Sequence, residues 1–322
     1  MSNFTTNINP DEVIEQLEKE NKVKAFTAFN PKNYLNDRLE PNETTKTLTI
    51  RLLPPNADGG FPFTKVHMHT IKVNKEIQSS GWKQFVCPIH NKLGDSCPFC
   101  EVSEQAWKTR SQVTSESEKK KYQEIANLNR AKESYVVRCI ERGHEEDGVK
   151  FWLVSGSKDG PYNQIMGIWQ TRWKKAQERG KINNIFDLNE GKDLEITITR
   201  TVDGKKSIKI VDNDEKTPLT EDFEQGLKWI QDKKQWTDVY KVKPYQYMEI
   251  ILNGDVPVWN QEKGQYVGKY AVQKEKEEAE KKEQIENYTE QKVDYSKMPT
   301  EQQVQKSGIF MNSEVNDDDI PF

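Results

Sequence analysis

Four cysteines and four histidines are the residues with the sharpest chemistry in this 322-residue chain, and three of the cysteines crowd into fourteen positions. Cys97-Pro98-Phe99-Cys100 is a C-x-x-C turn, whose two thiolates can grip one metal ion while neighbouring backbone N–H groups stabilise their charge. Cys87 supplies a third ligand, and a tetrahedral Zn(II) then needs one histidine. His90 lies only three residues past Cys87, and His144 sits in the polar turn ERGHEEDG. His69 is the preferred fourth ligand and His67 the alternative. Both fall on one face of an extended segment, Lys65 to Val73, that Gly81-Trp82 can fold back toward Cys87. Cys139, inside YVVRCI, reads as an ordinary buried thiol.

A catalytic metal is the competing chemistry. Zinc deaminases combine H-x-E with P-C-x-x-C, but neither His67 nor His69 is followed two places later by Glu, and Ser96 precedes Cys97. A closed His-Cys-Cys-Cys set leaves no position for an activated water, so the expected zinc is structural.

The elements that must position these ligands are mostly short strands. Thr47 to Leu52 alternates, with Leu48, Ile50 and Leu52 on a core face and Arg51 opposite. Further strands are expected at 134–141, 151–154 and 194–210, the last broken by the hairpin signal Asp203-Gly204. Helical spacing predicts helices over 116–132 (Tyr122, Ile125, Leu128), over 163–179 (Ile165, Ile168, Trp169, Trp173, Ala176) and over 220–230. Asn9-Pro10 with Val13 and Leu17 reads as an N-capped short helix. WTDVYKVKPYQYMEIIL suggests a helix and a strand, without an evident function.

Composition sets the boundaries. With 34% hydrophobic and 31% charged residues, the chain cannot order every segment, and regular order is expected to stop near 272, where KEKEEAEKKEQ begins. The expected organisation is an N-terminal helix and linker (1–44), a core (45–272) holding a zinc subdomain at about 64–110, a charged helix or linker (273–300) and a disordered acidic tail (301–322). No apolar run is long enough to span a membrane, and MSNFTTNINPDEVIEQL lacks the regions of a signal peptide, so a cytoplasmic protein is expected. The net charge of -4 is already contained in 301–322, with five acidic residues and Lys306. Positive charge concentrates instead at 102–140 and 169–183.

His69, Gly81-Trp82-Lys83, Cys87, Asp95-Ser96-Cys97-Pro98-Phe99-Cys100 and Arg130-Ala131-Lys132-Glu133-Ser134-Tyr135 together resemble the T-even phage single-stranded DNA-binding, helix-destabilising proteins, clearly over 45–155. The resemblance implies an α+β chain: an OB-fold-type β-barrel with an inserted zinc subdomain, peripheral helices, and a basic, aromatic-lined cleft for single strands. It implies DNA contacts from Arg130, Lys132, Tyr135, Arg138, Phe151 and Trp152 on the barrel side, joined by Arg51, and from Lys83, Trp107, Lys108 and Arg110 on the zinc side. The segment between His69 and Trp82 is longer than in that family, and the basic N-terminal motif that gives it cooperative self-association is missing.

The last six residues, Asp317-Asp318-Asp319-Ile320-Pro321-Phe322, resemble the C-terminal tip of bacterial single-stranded DNA-binding proteins. That likeness implies docking of replication, recombination and repair proteins through the terminal Phe and carboxylate, in a bacterial host cell during phage infection. A non-enzymatic role is therefore expected. The competing classes are a zinc-containing nucleic-acid enzyme, which would need clustered catalytic carboxylates, and a regulator that binds RNA or duplex.

Overall fold

The computed structural model describes residues 30–54, 60–178, 184–213 and 215–290. The helix expected from Asn9 and the acidic tail lie outside the described residues. The chain divides into two compact units, up to Pro257 and from Val258 onward.

The first unit is built on a seven-stranded antiparallel sheet: β1 (Thr45–Leu52), β2 (Phe63–Lys72), β3 (Trp82–Val86), β4 (Lys132–Glu141), β5 (Lys150–Ser155), β6 (Leu194–Arg200) and β7 (Lys206–Asp212). Strand β4 is its axis. Its first half pairs β2 and its second half β1 along one edge, while β5 follows the other edge. β1 runs along β6 from Thr45 to Ile50 and then along β4 to Leu52. Sharing β4 between two strands adds to the natural twist and curls the sheet into a half-barrel. Of the expected OB-fold-type barrel, the structure shows a half-barrel.

Open edges need cover. The outer edge of β5 is met by Tyr34 and Leu35, with a bridge from Tyr34 to Phe151. Along β7 the side-chain amide of Gln164 acts as a piece of strand: it donates to Ile208 O (2.8 Å) and accepts from Ile210 N–H (2.9 Å). Gln164 belongs to α3 (Pro161–Glu178), which follows α1 (Pro98–Gln112) and α2 (Glu116–Asn129) in the chain.

Both faces of the sheet are covered, so β4 reads as a nearly continuous apolar run. Tyr135, Val137 and Cys139 join Leu48, Ile50, Leu52 and Ile165 in one core cluster. Val136 and Ile140 join Leu53, Phe151 and Trp229 in a second, on the opposite face. A third cluster holds Ile71, Phe85, Cys87, Cys97 and Phe99 away from both.

Several expectations shift in detail. The helix expected over 116–132 ends at Asn129, because Arg130 turns extended (φ -65, ψ 146) and β4 starts at Lys132. The Asp203-Gly204 hairpin forms, with Thr201 N–H donating to Lys205 O at 2.8 Å and Gly204 at φ 76. After α4 (Phe223–Ile230), WTDVYKVKPYQYMEIIL forms two short helices, α5 (Trp236–Val239) and α6 (Tyr245–Leu252), rather than a helix and a strand. Pro244 explains the break, since a residue before proline disfavours helix while the proline itself suits a helix start.

The second unit contains a hairpin, β8 (Pro257–Asn260) with β9 (Gln265–Gly268), followed by α7 (Lys269–Glu290). Regular structure therefore does not stop near 272. Strong helix formers dominate the KEKEEAEKKEQ run, and Lys274 pairs with Glu278 one turn on.

Candidate metal centre and nucleic-acid face

Three elements converge on one point in the third core cluster. β2 brings His69, the turn after β3 brings Cys87, and the start of α1 brings Cys97 and Cys100. Cys97 is the N-cap residue and Pro98 occupies the first helical turn, where its missing N–H is harmless. Both cysteines thus sit at the N-terminal end of a helix. Asn91 clamps the Cys87 turn by donating to His67 O and Cys87 O, each at 2.8 Å.

The four ligand atoms lie within 4.8 Å of one another. Cys97 Sγ is 3.3 Å and Cys100 Sγ 3.6 Å from His69 Nε2, and Cys87 Sγ is 3.5 Å from Cys100 Sγ. A tetrahedron with metal–sulfur bonds of about 2.3 Å and metal–nitrogen bonds of about 2.0 Å has edges of roughly 3.8 Å (S–S) and 3.5 Å (S–N). The cluster has that size. His69 Nδ1 is 2.7 Å from Asn129 O, the last carbonyl of α2, which fixes the ring and leaves Nε2 for an ion. Between the two histidine candidates, the structure therefore brings His69 to the site. The His67 ring instead faces His90, at 5.4 Å between centroids.

Electrostatics point the same way. Burial pulls His69 down, but hydrogen bonds with Cys87 and Cys97 push its imidazole up to about 9. Hydrogen bonds from Cys100 and Cys97 hold the Cys87 thiol far below its ordinary range, while those to Cys87 and Cys97 push Cys100 far above its own. Groups that compete for so few protons are a set that a divalent cation can hold together once the protons leave. His90 Nδ1, 3.2 Å from Cys87 Sγ, flanks the cluster as a potential donor to sulfur. Sequence spacing gave it no part.

The residues expected to touch DNA divide into two groups. Trp107, Lys108 and Arg110 share the outer side of α1: the Arg110 guanidinium lies 5.5 Å from the Trp107 ring, Lys108 pairs with Glu104 at 2.9 Å, and Arg110 Nε is buried without a hydrogen-bond partner. Arg130 and Lys132 are exposed at the junction of α2 and β4. Lys83 is half-buried on β3.

The remaining expectations need correction, because their side chains are committed to the interior. Arg51 is 1% exposed; it donates to Asp193, to Thr217 Oγ1 and O, and to Asp187 O. Trp152, also 1% exposed, packs in the first core and donates to Asp37 Oδ2 at 3.1 Å. Phe151 is core on the opposite face. Arg138 lies half-buried beneath α4 and donates to Trp229 O at 2.6 Å. Tyr135 is 8% exposed: one ring face is stacked on Tyr162 at 3.6 Å, and its edge lies so close to Gly156 that a Cβ there would sit 2.9 Å away. None of the five offers an open surface in this conformation.

Other aromatics do. Phe61 is 48% exposed and packs only partly on Phe63 and Tyr162, with centroids 5.7 and 6.4 Å away. Trp82 and Trp173 are also exposed. Helical spacing placed Trp173 in the apolar series of 163–179, and nothing drew attention to Phe61, although aromatics on both sides of Pro62 were a readable sign.

Among the described residues no helix is long and apolar enough to cross a membrane. No curated protein matches the chain. A family described as gp32 DNA binding protein like matches residues 45–224, which span more than half of the 322 and include the whole sheet, the four clustered ligands and the exposed basic residues of α1 and the α2–β4 junction. The chain belongs to this gp32-like DNA-binding family.

Proposed function

We propose that this protein binds single-stranded DNA without sequence preference, protecting strands and removing secondary structure during phage DNA replication, recombination and repair. The observation that carries the reading is the family match over 45–224. The half-barrel is read as an OB-type fold, whose common use is a basic groove with aromatic platforms for successive bases. Arg130, Lys132, Lys83, Trp107, Lys108 and Arg110 are the contacts retained from the sequence, with Phe61 added as a stacking platform. Stacking contributes about 1–3 kcal/mol per base and tolerates any sequence.

The metal is read as one structural Zn(II), held by His69, Cys87, Cys97 and Cys100. Three thiolates and one imidazole suit zinc, and four protein ligands leave no open position for a reacting water. Its contribution is folding energy: it ties β2, the turn after β3 and α1 into one subdomain. The acidic tail, outside the described residues, is read as a partner-docking segment in the host cytoplasm. Ile320, Pro321, Phe322 and the terminal carboxylate would dock into partner enzymes, with Asp317, Asp318 and Asp319 meeting basic rims.

The test is fluorescence-anisotropy binding of the full chain to mixed-sequence oligonucleotides across a salt series, with duplex DNA as competitor. The expected result is tight, sequence-tolerant binding that duplex barely displaces and whose log affinity falls with log salt by about 0.7 per phosphate contact. Salt-independent or duplex-preferring binding overturns the reading.

A further inference from the structure

The family match ends at 224, yet the chain from Trp236 to Leu252 connects the two parts of the first unit. Its first end is anchored on the sheet. Trp236, Val239 and Tyr240 pack in the cluster of Leu53, Phe151 and Trp229, and Tyr240 Oη donates to Phe151 O at 3.2 Å. Its other end is anchored on the metal subdomain. Met248 and Ile251 of α6 pack with Phe85, Cys97 and Phe99, and Tyr245 Oη donates to Glu101 at 2.7 Å. Between the anchors runs Lys241-Val242-Lys243-Pro244, and the proline keeps Lys243 out of the helix. A short strap held at both ends therefore carries two cations from one body to the other.

Those cations meet others. Lys83 Nζ on β3 lies 6.0 Å from the Phe85 ring, the Phe85 and Tyr247 rings are 6.5 Å apart, and Lys243 Nζ lies 5.6 Å from the Tyr247 ring. Lys83 and Lys243 thus flank a pair of rings, of which Tyr247 is only partly buried. Burial and the nearby charge of Arg38 depress Lys83; burial, Lys83 and Lys241 depress Lys243. Holding like charges together costs energy, and a phosphate chain laid among them returns it.

We propose that Lys241 and Lys243 on this strap, with Lys83 and Arg38 opposite, form a phosphate-binding track for single-stranded DNA. The track rests on the single-strand reading above and assigns binding residues beyond the family match. A polyanion fits it by charge. A single strand fits better than a duplex because Tyr247 supplies a ring beside the cations, on which an unpaired base can stack.

The test compares the full chain with the double variant Lys241→Gln/Lys243→Gln, the charge-keeping Lys241→Arg/Lys243→Arg, and Lys263→Gln as an exposed control in the second unit. With a mixed-sequence oligonucleotide, the glutamine pair is expected to lower the slope of log affinity against log salt by about 1.4, two contacts at about 0.7 each. The arginine pair and Lys263→Gln should keep the slope. A parallel measurement needs no variant: acetylation of Lys83, Lys241 and Lys243 in the wild-type chain should fall when the oligonucleotide is bound. If the wild type binds single strands but the glutamine pair keeps its slope and these lysines stay unprotected, the track is wrong and the single-strand reading survives. If the wild type does not bind single strands, both fall.

Discussion

Asp193 holds two guanidinium groups at once. Its carboxylate receives Arg51 at 3.2 Å and Arg142 through two bonds at 2.9 and 3.0 Å, while Arg51 also donates to Thr217. Gly191 completes the arrangement: a Cβ there would sit 2.4 Å from the Arg51 guanidinium. The network ties β1, the end of β4 and the loop up to Thr217 into one body. Removing the shared anion leaves a buried Arg51 charge with reduced compensation, a change that typically costs about 3–5 kcal/mol. Asp193→Ala is therefore expected to lower the urea midpoint strongly with little change in m-value, and a shift below ~1 kcal/mol would contradict the network's role. Alternation in Thr47 to Leu52 correctly put Arg51 opposite the apolar face, but not what covers that face. Its partner lies 142 residues away, beyond any local pattern. The cysteine ligands were legible for the opposite reason, since C-x-x-C is local chemistry, and the choice of His69 over His67 needed only the carbonyl of Asn129.

At the scale of elements, legibility followed the hydrophobic period. β4, the β6–β7 hairpin, α2 and α3 carry apolar side chains at strand or helix spacing, and each forms close to its expected place. α1 was not expected as a helix, because its buried positions after Phe99 are Ser103 and Ala106. The helical spacing is there, but small residues carry little hydropathy. They are small because α2 packs against them, with Ser103 Oγ donating to Ala126 O at 2.9 Å and Ala126 fully buried. Such a helix has a modest apolar face of its own, so the metal should contribute much of what holds its first turn. Structural zinc sites supply about 10–16 kcal/mol of apparent binding energy in zinc-finger peptides. Cys97→Ser, or chelation of the wild type, is expected to abolish one bound metal per chain and to raise amide exchange across 82–112 while β6 and β7 stay protected. Uniform protection after metal loss would show that packing alone holds the subdomain.

For the whole molecule, the distribution of charge matters more than its sum. A net charge of -4 would repel a polyanion, yet residues 301–322 contain that entire excess. On the proposed reading, binding comes from local concentrations of cations: the basic residues of α1, the α2–β4 junction, and the strap with Lys83 and Arg38. Resemblance over 45–155 was legible from motifs, and the family match extends it to 224, but the strap lies past both. It became visible only when folding placed Lys243 near Lys83, 160 residues apart in the sequence. The same surface suggests a role for the tail within its own chain. Asp317, Asp318 and Asp319 match such a track in charge, and on the tethered reading of the tail proposed above they would compete with a strand for it. Deleting 313–322 is therefore expected to raise single-strand affinity at low salt. The gain should shrink toward zero near 1 M salt, where screening acts within about 3 Å. It should also be smaller in the Lys241→Gln/Lys243→Gln background, because the tail and the strand then lose the same cations. Equal affinity of full-length and truncated chains throughout the salt series would rule out self-competition and leave the tail to outside partners alone.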